Sequence, residues 1–384
     1  MKTISPRIAS IDVFRALTMF LMIIVNDFGS VSGVPHWLEH ANMGEDFLGF
    51  SDIIFPSFLF ILGMSIPFAI ENRIKKGESN LSIIKHIVLR SIALLVMGLF
   101  TVNYSSLDRS IMNRNVFSIL MLTGFFLTWN VYPKKQNLSK YIFIGLQIFG
   151  IALLLYLAII FRDKSGNIMQ HKWWGILGLI GWTYLICALI YLFIRQNLKY
   201  QTFVWLFFVL FCIAEANKWL GIFGGILPGK GVFHAFTMGG LITSLIFNRV
   251  QFKKLLPWMI TSGIILLISG WISNHFWIIG KMGETPPWMF YCCGISILSY
   301  IFVYWLVDVN EKKSWFNCIE PAGSATLTCY LVPYWLYIIF SITHFYLPST
   351  WLVYPYGLIK CILFAFLAIW ITYGLGKIGI KLKI

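Results

Sequence analysis

The chain has 384 residues, of which 58% are hydrophobic and only 12% charged, about half the charge content of an average soluble domain. So much apolar surface excludes a water-soluble globule. The net charge of +15 does not point to nucleic acid, because the basic residues are scattered through short loops and gather on no single face.

The opening MKTISPR is short, basic and followed by an apolar run, as in a signal peptide. Asp12 and Arg15 interrupt that run and no small-residue cleavage site follows, so it reads as an uncleaved first span. A span needs roughly 20 apolar residues. Twelve candidates follow in order, near 11–30, 52–70, 86–103, 116–132, 141–161, 173–194, 201–215, 231–248, 257–277, 288–307, 323–346 and 353–376. The 16 Trp and 17 Tyr suit the membrane–water interface. The fold class expected is all-α, a polytopic membrane helical bundle of about 12 (10–12) transmembrane helices, forming one integral-membrane unit over 1–384.

Loop charge alternates along this series. One set of loops holds 19 basic residues and the other 8. By the positive-inside rule the richer set, which includes both termini, faces the cytoplasm. The expected location is the bacterial inner (plasma) membrane. Six of the seven histidines then fall on or near the outer face, with only His86 inside. The seven cysteines form no C-x-x-C pair and read as small buried hydrophobes, not as a disulfide framework or a metal site.

Residues 36–67 stand apart from the rest. Two histidines and four carboxylates (His36, Glu39, His40, Glu45, Asp46 and Asp52) run straight into an apolar helix. Charge beside a bilayer is costly and marks function. His40 above a helix start, with Asp52 near, has the parts of a general base and its orienting partner; a solvated loop histidine is the plainer alternative. Ser51 is the expected helix N-cap. Asn26 closes the first span, either as a C-cap or as an amide aimed at a reacting carbonyl oxygen. Asp12 and Arg15, three apart, are expected to pair. Arg90 lies in the apolar run IVLRSIALLVMG, where it either snorkels to the inner interface or meets an anion, with snorkelling slightly favoured. Glu215 and Lys218 are expected to form a local ion pair. Lys281, in GKMGETPPW, is a candidate to attract phosphate or carboxylate, with a solvated lysine as the alternative, and Trp288 suits the interface. No G-x-x-x-x-G-K-[ST], G-x-S-x-G or H-E-x-x-H pattern occurs, which argues against nucleotide hydrolysis and zinc proteolysis.

Four segments resemble a known family. RIASIDVFRALTMFLMIIVND resembles the R-x-x-S-x-D-x-x-R-G start of the heparan-α-glucosaminide N-acetyltransferase family, and LEHANMGEDFLGFSDIIFPSFLFILGMSI its H-A-x-W-x-G-x-T-x-x-D-L-V-F-P block. LRSIALLVMGLFTVNY and FNCIEPAGSATLTCYLVPY are similar to later segments, and the bacterial relatives known as DUF5009 are the nearest group. The resemblance implies that His40 is catalytic, that Asn26 assists it, that Asp52 fills the acidic position and that Arg90 is the arginine of the third segment. It also implies acetyl transfer from acetyl-CoA, made in the cytosol, to a sugar or glycan across the membrane, with no metal. Arg90 and Lys281 are the candidates to hold the donor. The mechanism expected is either proton abstraction by His40 or transient transfer of the acetyl group to it. The chain departs from the pattern at NMGEDFLGFS, which is longer and more acidic, at Ala16 in place of Gly, and at Ser324-Ala325-Thr326. These departures bear on the acceptor. Expected partners are membrane lipid and a sugar or glycan acceptor, with no nucleic acid; a homodimer is left open. The competing reading is a multi-pass transporter of a sugar or lipid-linked solute, against which stands the scarcity of ionisable residues at mid-membrane.

Overall fold

The structure is a computed structural model and describes residues 8–132, 138–171, 175–247 and 252–382. Lys2, Arg7, Lys134, Lys135, Lys172, Arg249 and Lys383, all counted in the loop charges, lie outside it. Thirteen α-helices follow in chain order among the described residues. They are α1 (Ala9–Asp27), α2 (Ser51–Lys75), α3 (Asn80–Asn103), α4 (Arg114–Trp129), α5 (Leu138–Ile160), α6 (Gly175–Ile194) and α7 (Leu198–Ala216). After them come α8 (Val232–Phe247), α9 (Phe252–Asn274), α10 (Pro286–Tyr304), the short α11 (Glu320–Ser324), α12 (Thr326–Thr343) and α13 (Tyr356–Lys377).

All twelve expected spans are helices. Eleven are long and apolar enough to cross a bilayer. The twelfth, α4, has 16 residues, bounded by the Asn113 cap and by Asn130, whose backbone pairs with Leu382. The protein is a polytopic, all-helical integral membrane protein. Helices are the only open-ended answer to a solvent that cannot hydrogen-bond a backbone.

The long helices run alternately up and down. Arg15 donates to Ser65, which sets α1 antiparallel to α2. Arg195 at the end of α6 reaches Asn80 at the start of α3. The amides of Ala9 and Ser10 bond the Asp308 carboxylate beyond α10. Both ends of the described chain therefore lie at one end of the bundle, the terminal end. The loops 28–50 and 275–285 meet at the other, the His40 end.

The middle of the bundle is α2, most of which is buried. It crosses α8 at backbone contact. A side chain at Gly63 would run into the main chain of Thr237, and one at Gly240 into that of Phe60. Lipid offers no hydrophobic drive between helices, so association relies on close packing of this kind.

Several local expectations change. The Ser51 hydroxyl does not cap α2; it donates to the Leu38 carbonyl at 2.5 Å and ties the preceding loop to the helix. Trp288 is fully buried against neighbouring helices, not exposed. Glu215 binds the Gly225 amide at 2.5 Å, and no Glu215–Lys218 ion pair forms among the described residues. Asp12 and Arg15 do pair, at 3.2 Å. Six of the seven free cysteines are buried.

Candidate active site

The start of α2 carries Asp52 inward, where it is 1% exposed. A carboxylate so placed needs its lone pairs filled. Its Oδ2 accepts the backbone amides of Ala41 at 2.9 Å and Gly49 at 3.3 Å. Its Oδ1 lies 2.7 Å from His40 Nδ1. The carboxylate has no proton to give, so Nδ1–H donates and the lone pair of His40 is left on Nε2. Nε2 has no hydrogen-bond partner among the described residues, and the ring is partly open to solvent.

A third charge completes the group. Lys281 Nζ lies 3.2 Å from His40 Nδ1 and 3.8 Å from Asp52 Oδ1. Burial holds its ammonium below the ordinary lysine range, and the Asp52 carboxylate works against that fall. Lys281 is thus neither solvated nor placed beside Arg90; it belongs with His40.

Three features lock this geometry. Asp46 accepts the Ile279 amide at 2.7 Å and so fastens the His40 loop to the Lys281 loop. Lys230 donates to the Gly283 carbonyl at 2.7 Å. Trp288 Nε1 donates to the Asp52 carbonyl at 3.2 Å, which clamps α10 to the first turn of α2. The acidic stretch GEDF therefore has structural work: Glu45 bonds His36 at 2.6 Å and the Asn42 amide at 2.9 Å, while Asp46 holds the neighbouring loop. The Asn42 amide, more than His36, keeps Glu45's carboxyl below its usual value.

Asn26 sits exposed on the last turn of α1. The Arg15–Ser65 contact sets its height near Ile54, so it shares the His40 end. It makes no hydrogen bond to His40 or Asp52.

Arg90 faces a separate space. A cavity of about 850 Å³ opens at the terminal end, lined by Arg15, Lys75, Arg90 and Lys381 among others. Arg90 forms part of its wall. Its guanidinium lies 4.4 Å from the centre of the Tyr184 ring, and its Nε is buried without a hydrogen-bond partner among the described residues. Lys75 and Phe58 both line the cavity, which at 1.5 Å per residue gives it a reach of about 26 Å along α2. Phe58 is then about 9 Å along the axis from Asp52. Among the described residues no cluster of three His, Cys, Asp or Glu is arranged to hold a metal.

Sequence reasoning missed the Lys281–His40 contact, the Trp288 clamp and a second ionic group at the same end. There Lys360 pairs with buried Asp27 at 2.7 Å, and the Tyr337 hydroxyl donates to Asp27 at 2.8 Å. A lysine in an apolar span is the signal that could have found this pair.

Human heparan-α-glucosaminide N-acetyltransferase is 32% identical over 104 residues, 27% of this chain and 15% of the relative. The mouse protein of the same name is 34% identical over 98 residues, 25% of this chain and 14% of the relative. The match thus spans about one-seventh of the length of each of these relatives. A family model described as "Domain of unknown function (DUF5009)" matches residues 7–221, more than half of the 384. That segment carries His40, Asp52 and Arg90, and the chain belongs to the DUF5009 family.

Proposed function

We propose that this protein is a membrane acetyltransferase that moves an acetyl group from acetyl-CoA to a sugar or glycan on the far side of the membrane. The observation that carries the reading is the 2.7 Å contact of His40 Nδ1 with Asp52 Oδ1, which fixes one tautomer and leaves Nε2 as a base. The names of the human and mouse relatives support the reaction class.

The donor supplies an activated acyl carbon, and the residues of the terminal-end cavity fit it. A polyphosphate requires cations, and the unsatisfied, buried Nε of Arg90 beside Tyr184 is an anion-seeking group. The cavity's reach toward Asp52 supports a donor that enters from the side opposite His40. The uneven loop charges support a cytoplasmic terminal end, with the protein in a bacterial inner membrane.

At the His40 end, Nε2 takes the proton from the acceptor's amine or hydroxyl as it attacks the thioester carbon, and gives that proton to the CoA sulfur as the C–S bond breaks and CoA leaves as the thiol. Asp52 holds the ring and stabilises the imidazolium that results. Lys281 offsets the carboxylate's charge and keeps the site from closing around a lone anion. Asn26, on the exposed last turn of α1, supplies an amide to the reacting carbonyl when acceptor and donor meet.

The test is acetyl transfer by the full chain in lipid nanodiscs, with labelled acetyl-CoA and glucosamine as acceptor. His40→Ala is expected to lower turnover by about 10²- to 10⁴-fold while the protein stays folded. Near wild-type turnover in that variant would overturn the assignment.

A further inference from the structure

A second cavity opens at the His40 end, between α4 and α12, with a volume of about 520 Å³. Its wall carries two guanidinium groups, Arg109 and Arg114, and three aromatic rings, Tyr104, Tyr334 and Tyr337. Neither arginine forms an ion pair with a carboxylate among the described residues. Arg114 lies instead 4.8 Å from the centre of the Tyr104 ring, a stacking that leaves the edge of the guanidinium fork unspent. Asp27, which Tyr337 joins to this wall, is already committed: it holds Lys360 and receives the Tyr337 hydroxyl. Asp108, next to Arg109, is engaged by the Ser110 amide at 3.0 Å.

The frame of this cavity is fixed. Asn115 donates to the Ser341 hydroxyl at 3.0 Å and so joins α4 to α12. The Asn113 side chain caps α4 by accepting the Asn115 amide at 2.8 Å. The Asp27 contact holds Tyr337 from the α1 side. Arg114, stacked on Tyr104, and the exposed Arg109 line one cavity without an ion-pair partner among the described residues and form a site for an anion.

We infer that the α4–α12 cavity binds a phosphate-class oxyanion, with Arg109 and Arg114 as its two charged contacts and the tyrosine rings packing whatever body carries the anion. The chemistry is shared by two sources, a soluble sugar phosphate and the headgroup of an anionic lipid in the adjoining leaflet. The inference stands apart from the acetyl-transfer reading, since it uses neither His40 nor Arg90.

Binding to full-length protein in a non-ionic, phosphate-free detergent tests it, with glucose 6-phosphate, inorganic phosphate and glucose as probes. Glucose 6-phosphate and phosphate are expected to bind and glucose not. Arg109→Gln with Arg114→Gln is expected to weaken phosphate binding at least about tenfold, whereas Arg114→Lys, which keeps the charge, stays within a few-fold of wild type. His40→Ala should bind phosphate as wild type does, which separates this site from the catalytic proposal. Phosphatidylglycerol in mixed micelles assigns the source: competition with glucose 6-phosphate identifies a lipid headgroup, and its absence a soluble ligand, both in keeping with the inference. Equal affinity for glucose and glucose 6-phosphate, or unchanged phosphate binding in the double variant, would overturn it.

Discussion

Asp27 and Lys360 meet at 2.7 Å across the α1–α13 contact, with the carboxylate 1% and the lysine side chain 13% exposed. Tyr337 from α12 and the Ser30 hydroxyl complete the group, Lys360 also reaching Ser30. A pair this deep is held against a large desolvation cost, so its absolute worth is small, yet loss of one member strands the other. Lys360→Met is therefore expected to destabilise the fold by about 3–5 kcal/mol, read as a lower midpoint in thermal unfolding. Adding Asp27→Asn should recover part of that loss. A double variant as unstable as the sum of the two singles would show that the ion pair is not the coupled unit described.

Asp52→Asn isolates the orienting role of the carboxylate. Two backbone amides, of Ala41 and Gly49, donate to Oδ2. They demand an oxygen, so the new amide turns its NH₂ toward His40 Nδ1. Nδ1 must then accept, the ring proton moves to Nε2, and the base is lost. Acetyl transfer is expected to fall by a factor on the order of 10⁴, with the thermal midpoint changed far less than the rate. Turnover within tenfold of wild type would remove Asp52 from the mechanism.

Lys281 gives a pH-dependent signature. Burial lowers its amine pKa in spite of the neighbouring Asp52 carboxylate. The unfolded chain therefore binds the proton up to a higher pH than the folded chain does. Between the two pKa values the unfolded state holds more protons, so this group's contribution to stability rises with pH across that window and is a penalty below it. The same shift makes Lys281 neutral, and nucleophilic, at lower pH in the folded protein than in the unfolded chain. Pulsed amine acylation followed by peptide mass spectrometry should show Lys281 half-modified at a lower pH in the native protein than in the denatured one. Half-modification at the same pH in both would mean that the amine is not held as described.

What was legible in the sequence follows from the range of the interactions. The spans are local runs of apolar residues, and each of the twelve became a helix because a bilayer permits little else. His40 and Asp52 lie twelve apart on one connection, close enough that a carboxylate beside a histidine was an expectation from spacing. Lys281 is 241 residues from His40 and is held there by contacts equally distant in sequence, Asp46 on the Ile279 amide and Trp288 on the Asp52 carbonyl among them. No periodicity encodes those contacts. The stacking of Arg90 on Tyr184 was equally hidden, since it joins α3 to α6, two helices far apart in the sequence. Ser51 was misread as a cap because a hydroxyl at a helix start can serve the helix or the incoming loop, and here the Leu38 carbonyl took it.

Arg90 separates donor binding from chemistry. Its guanidinium lies against Tyr184 in the terminal-end cavity, which reaches along α2 only as far as Phe58 and so stops short of Asp52. A contact to the donor's phosphates made equally in ground and transition states lowers KM without raising kcat. Arg90→Gln is therefore expected to raise the KM for acetyl-CoA about tenfold or more and to leave kcat within a few-fold. Arg90→Lys should recover only part of the affinity, because an ammonium keeps the charge but loses the planar fork and the stacking on Tyr184. The reverse pattern, a fall in kcat at unchanged KM, would place Arg90 at the reacting atoms and not on the donor's phosphates.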